Sequence, residues 1–223
     1  MVTKYPRKLA LIDKSVISFL KVDQKKSQEK ICYKYLTQEF YILDQASYIA
    51  NLTKLKSLSV SIWGNQIGQI GISKFAEQIA KLVSLNQIEI FLGNNQLQDE
   101  GLIKLSEKIV LLENLTILQL SLWDNQINDQ GLINLSLNLQ NMKQLQRLYL
   151  DIRQSYSFFK YYTNQNVNSS NSITVIGIQK LGQTIQSLKN LYFLELIAQW
   201  ELANTNVAEE CFKFKIFISQ FRV

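Results

Sequence analysis

The stretch LKSLSVSIWGNQIGQIGISKFAEQIAKL, Leu55 to Leu82, changes its apolar period partway along. From Leu55 to Trp63 apolar and polar residues alternate, the pattern of a strand with one face buried. From Gly71 onward, Ile72, Phe75, Ala76, Ile79 and Leu82 recur three and four apart, which is one face of a helix. Between the two halves stand Gly64, Gly68 and Gly71, three of the chain's eight glycines. Glycines between a strand and a helix can cradle a phosphate against the helix N-terminus. This segment lacks the Lys-Ser/Thr that would meet phosphate and metal. Its glycines need another explanation.

That explanation is a 30-residue period. Leu55, Leu85, Leu115 and Leu145 form one column; Leu58, Ile88, Leu118 and Leu148 form the next. Val60, Ile90, Leu120 and Leu150 follow, then Ile62, Leu92, Leu122 and Ile152. Asn65, Asn95 and Asn125 recur in phase, as do Gly71, Gly101 and Gly131. A further copy resumes at Ile173 and Gly177, after an insertion of about residues 156–171. One strand and one helix per period cannot bury their apolar faces alone. Stacked copies can, with the strands in a parallel sheet and the helices outside it.

These residues resemble the leucine-rich repeat family, in its longer ribonuclease-inhibitor-like class. The family pattern LxxLxLxxNxL, followed by a glycine that opens a helix, appears as LTILQLSLWDNQINDQGLINLSLNL over residues 115–139, with two extra residues before the asparagine. The resemblance implies an α/β solenoid, with a curved parallel sheet on the concave face and helices on the convex face. It covers residues 39–200. Residues 1–38 read as a basic, non-repeating cap, and residues 201–223 as a C-terminal flank whose CFKFKIFISQF alternates like a strand yet is also compatible with a helix. The asparagine column reads as structural, each amide satisfying backbone groups where the chain leaves its strand. The fourth copy has Ser155 at the 30-residue position, so the ladder is expected to fail there. Gly71, Gly101, Gly131 and Gly177 read as repeat geometry at the start of each helix.

Composition narrows the chemistry. The 223 residues include no histidine, which removes imidazole acid-base catalysis, Ser-His and Cys-His nucleophiles, and histidine-ligated metal sites. Cys32 and Cys211 form no CxxC pair and read as free thiols, with a bridge between the termini left open. No acidic cluster has metal-ligand spacing, so neither metal nor cofactor is expected. Asp99 and Glu100 read as acids favouring a helix dipole. The net charge of +6 is carried by residues 1–34, with nine Lys/Arg and three acids; the rest holds 15 of each sign. A neutral repeat region argues against a nucleic-acid partner. No secretory signal is visible and no apolar run approaches the ~18 residues of a membrane helix, so the chain reads as soluble and cytoplasmic, with no membrane partner.

The strand alternation locates the expected working surface. If Leu58, Val60 and Ile62 point inward, Trp63, Phe91, Trp123, Tyr149, Asp151, Arg153, Phe193 and Glu195 face outward on the sheet. Aromatic and arginine residues on one face are the composition of protein-binding surfaces. Trp63 and Trp123 should stand two strands apart with Gly93 leaving space between them; alternatively they fold over the repeat edge as packing. The insertion, rich in aromatics from Tyr156 to Tyr162, reads as a binding loop or as a flap packed on the stack. The expected function is a non-catalytic module binding a protein or peptide, without a small-molecule substrate. A GTPase-activating or switch role, dependent on Arg153, is the alternative, and a scaffold within a larger assembly is a third reading.

Overall fold

The computed structural model describes residues 28–32, 50–154, 170–200 and 210–217. In chain order the strands are β1 (Gln28–Cys32), β2 (Ser57–Ser61), β3 (Gln87–Phe91), β4 (Ile117–Ser121), β5 (Arg147–Asp151), β6 (Phe193–Trp200) and β7 (Glu210–Phe217). Four helices alternate with them: α1 (Gly68–Ile79), α2 (Gln98–Ile109), α3 (Asp129–Leu139) and α4 (Val175–Ser187). Strands β2 to β6 form an all-parallel five-stranded core, an α/β architecture compatible with a solenoid. The columns of the sequence are the register of this sheet: Leu58, Ile88, Leu118, Leu148 and Leu194 are successive Cα partners. These side chains are buried under the helix faces that carry Ile72, Phe75, Leu102, Leu105, Leu132 and Leu135.

The flanks extend the sheet. β1 lies within the segment expected not to repeat, yet pairs parallel with β2, Gln28 opposite Ser57. β7 pairs antiparallel with β6, Phe217 opposite Phe193, so the C-terminal alternation forms a strand. Because β1 and β7 occupy opposite ends of the sheet, Cys32 and Cys211 are separated by six strand spacings, roughly 29 Å. A disulfide requires Cα atoms within ~7 Å, so the two cysteines cannot be bridged in this fold. Residues 155–169, which hold most of the insertion expected at about 156–171, lie outside the described residues.

Where each strand ends, an asparagine ties two copies together. The Asn65 N–H donates to Asn95 Oδ1, Asn95 N–H to Asn125 Oδ1, and Asn125 N–H to Asn171 Oδ1, each at 2.9 Å. The amide of Asn95 donates to Leu92 O at 2.8 Å in its own copy and to Ile62 O at 2.9 Å in the preceding one. The ladder therefore does not fail after Asn125. Asn171 fills the fourth rung, 1% exposed, with Nδ2 donating to Leu122 O at 2.9 Å. The inserted residues precede the rung, so Asn171 belongs to the repeat and not to the insertion; Asn125 to Asn171 spans the same 46 residues as Gly131 to Gly177.

The turn around each asparagine explains the opening glycines. Residues 64, 94 and 124 all take positive φ, at 72°, 55° and 58°, and are Gly, Asn and Asp. These are the residue types that tolerate the left-handed region best. Gln66, Gln96 and Gln126 are also left-handed, and so are Gly68 and Gln98. At the third equivalent position Asn128 is extended instead, and its side chain caps α3 by accepting the Gln130 N–H at 2.7 Å.

Gly71, Gly101, Gly131 and Gly177 lie within the first helical turn, not at its opening residue. At Gly101, Gly131 and Gly177 the role is close approach to the preceding helix, while a Cβ at Gly71 would meet the Ile67 side chain of its own copy. A Cβ at Gly177 would come within 2.6 Å of Asp129 Oδ1. That oxygen instead accepts the Gly177 N–H at 3.0 Å and the Thr174 N–H at 2.8 Å, while Oδ2 accepts the Thr174 hydroxyl at 2.5 Å. Asp99 does the same for the next helix, accepting Asn128 N–H at 2.9 Å and Gly131 N–H at 3.1 Å. Each aspartate thus favours the dipole of the following helix as well as standing in the first turn of its own.

Two predictions follow from these ties. Asn95→Ala leaves the buried Asn65 and Ile67 N–H groups without their acceptor, each worth about 1–3 kcal/mol, and should cost roughly 3 kcal/mol in urea unfolding. Asn171→Ala should cost a comparable amount, and a loss below ~1 kcal/mol at either site would remove the ladder from its structural role. Asp129 gives a pH dependence. Burial works to raise its pKa, but the Thr174 hydroxyl and the Thr174 and Gly177 N–H groups outweigh it and hold the pKa below the ordinary 3.8. A lowered folded pKa means the contribution is fully present above the unfolded value and lost as pH falls through the folded one. The stability gap between wild type and Asp129→Asn should therefore shrink on acidification below about pH 4.

Candidate functional site

Among the described residues, the sheet has one face under the helices and one face without them. On the open face, the intermediate positions of each strand's buried-and-intermediate alternation carry the residues singled out by sequence: Phe91, Tyr149, Asp151 and Glu195 are all half-buried, as are Trp63, Trp123 and Arg153 just beyond the strand ends. The chemistry is uneven across it. Strands β2 and β3 present Ser57, Ser59, Ser61, Gln87 and Glu89, the last two joined by a 2.8 Å hydrogen bond from Gln87 Nε2 to Glu89 Oε1. Aromatic and charged groups gather on β5 and β6.

There the Tyr149 and Phe193 rings meet with centroids 4.9 Å apart, tilted by 41°. The Arg147 guanidinium lies over both, 5.6 Å from the Tyr149 centroid and 5.2 Å from that of Phe193. Phe193 was expected to be exposed and is not, at 5% accessibility. The pairing puts it beside Arg147, and the guanidinium and the Tyr149 ring pack against it. Further along β5, Arg153 and Asp151 form a bidentate pair, Nε to Oδ1 at 2.8 Å and Nη2 to Oδ2 at 2.6 Å, with side chains 18% and 13% exposed. The Ser121 hydroxyl adds a 3.3 Å bond to Asp151 Oδ2. The arginine on which a GTPase-activating role would depend is thus already engaged by a neighbouring carboxylate.

Gly93 does not leave an open gap between the two tryptophans. The Trp123 indole occupies the volume that a Cβ at residue 93 would take, with Cδ2 2.5 Å from that position and Nε1 and Cε2 closer still. An indole laid over a bare backbone buries apolar area that an upright ring would leave in water. Trp123 is therefore part packing and part surface, in contact with strand β3 through the missing side chain.

A cleft of about 520 Å³ lies elsewhere, among the loops after α2 and α3, lined by residues including Asn86, Glu113, Asn114 and Lys143. Its amides serve the backbone: Asn86 Nδ2 donates to Asn114 O at 3.1 Å, and Asn114 Nδ2 to Val83 O at 2.9 Å. Among the described residues, no group of three or more Cys, Asp and Glu side chains is placed to hold a metal ion, and no helix is long and apolar enough to cross a membrane. No protein-family model and no curated protein matches this chain.

The period-two alternation put Arg147 on the outward face with Phe193 but did not mark it as a binding residue, and sequence reasoning passed over Asn171 and the helix-tying role of Asp99 and Asp129. The phase of Asn171 was available from the 46-residue step of the glycine column. The position of Arg147 between two rings was not, because it depends on the cross-strand partner that β6 supplies after the insertion.

Gly93→Ala tests the packing of the indole. The added methyl cannot coexist with Trp123 as placed, so tryptophan emission should shift to the red and the near-ultraviolet dichroism should change, with the far-ultraviolet spectrum retained. Unaltered tryptophan signals would show that the indole does not rest on residue 93.

Proposed function

We propose that this chain is a non-catalytic interaction module of the leucine-rich repeat type, in its ribonuclease-inhibitor-like class, acting in the cytoplasm. It binds a protein or a peptide segment on the open face of its parallel sheet. The repeat reading is supported by the agreement between the 30-residue columns and the sheet register, and by the asparagine ladder that joins consecutive copies. The binding reading is carried by one observation, the cluster of Arg147, Tyr149 and Phe193 on the sheet face that no helix among the described residues covers. Aromatic rings and arginine, held rigid and partly desolvated, form the centre of many protein interfaces. The Asp151–Arg153 pair and the half-buried Phe91, Trp63 and Trp123 extend the same surface, and Glu195 borders it.

Quantitative affinity capture from the native cell tests this. Proteins retained by the wild type should fall about tenfold or more with Tyr149→Ala, the loss expected of a central aromatic contact. They should be kept with Leu111→Ser, a change at an exposed position outside the sheet. Circular dichroism verifies that both variants fold. Equal recovery with Tyr149→Ala and wild type would sink the proposed surface.

A further inference from the structure

Among the described residues, no carboxylate pairs with the charge of Arg147. Its Nε is the single buried side-chain nitrogen or oxygen among the described residues without a hydrogen-bond partner. The three ion pairs among these residues involve Lys104 and Arg153, not Arg147. The other charged groups around it are differently placed: Asp151 is taken by Arg153, and Glu89 accepts from Gln87. Glu195 sits opposite Tyr149, one step along the strand face, and has interactions of its own.

Leaving a half-buried guanidinium without a counter-charge costs stability, and packing alone does not require it, since a methionine of similar length would fill the same space. The two rings do something else for it. Tyr149 and Phe193 fix the plane of the guanidinium and exclude water from its inner edge, which strengthens its pull on any anion that reaches it. A planar, preoriented guanidinium matches a carboxylate in the forked geometry of two parallel hydrogen bonds.

We propose that Arg147 is the carboxylate-recognising anchor of the open sheet face, and that the partner is a peptide segment presenting a glutamate or aspartate side chain to Arg147 beside the half-buried Tyr149. This deepens the binding function proposed above and rests on it. The committed chemistry is an acidic side chain carried by an extended segment. The Tyr149 ring receives its aliphatic part and Arg147 its charge.

Selection from a random peptide library, displayed as N-terminal fusions so that no free C-terminal carboxylate is present, tests it with the full chain as bait. Wild-type protein should enrich Glu- or Asp-containing peptides, and the synthetic peptides should bind about ten- to a hundredfold more weakly to Arg147→Gln. Peptides enriched without an acidic residue, or held equally by Arg147→Gln, overturn the anchor while leaving the binding surface standing. A library that yields no binder overturns both. A second readout separates recognition from packing: Arg147→Met should leave the free protein as stable or more stable in thermal unfolding. A clear drop in melting temperature for Arg147→Met would make Arg147 a packing residue and end the proposal.

Discussion

Every copy in this fold leans on one shared amide. The side chain of Asn95 accepts the backbone N–H of Asn65 while donating to carbonyls of its own copy and of the one before. Those backbone groups face the interior at the point where the chain leaves the strand and no ladder bond remains to them. Without the amide the Asn65 and Ile67 N–H groups would be buried and unsatisfied, at a cost that a few apolar contacts do not offset. The amide also sets conditions on its neighbours. The residues on either side must turn left-handed to aim it inward, and that is why Gly, Asn and Asp alternate with Gln around it.

The same economy of parts operates on the helical side. Asp99 and Asp129 stand in the first turn of one helix and accept N–H groups from the start of the next, over a glycine that lets the two approach. The column ends at Val175, which is 62% exposed. Two polar ties, one at each end of the strand–helix connection, hold the copies in register, while the leucine and isoleucine columns supply the burial between them. The sheet face away from the helices is excused from both tasks. It is free to carry groups chosen for something other than folding, and that is where Arg147, Tyr149, Asp151 and Arg153 are found.

The outward set shows where a linear reading stops. Alternation put Trp63, Phe91, Trp123, Tyr149, Asp151, Arg153, Phe193 and Glu195 on one face, and the strands carry them there. Their surroundings differ in ways alternation does not encode. Phe193 packs against an arginine, its cross-strand neighbour, and Trp123 lies down because its neighbour is a glycine. In each case the deciding residue is 30 or more positions away, and its effect appears only when strands are laid side by side.

By itself the sequence determined the period, the strand and helix in each copy, the buried columns and the structural asparagines, because these depend on the chain's own repeating pattern of burial. Only the tertiary structure decided that Asn171 completes the ladder after the insertion. It alone decided that the aspartates tie consecutive helices and that β7 reverses direction at the edge of the sheet. It also decided which outward residues share their charges and which do not. Those outcomes follow from distances between segments far apart in the chain, and a pattern of apolar and polar residues says which face a side chain takes but not what it meets there.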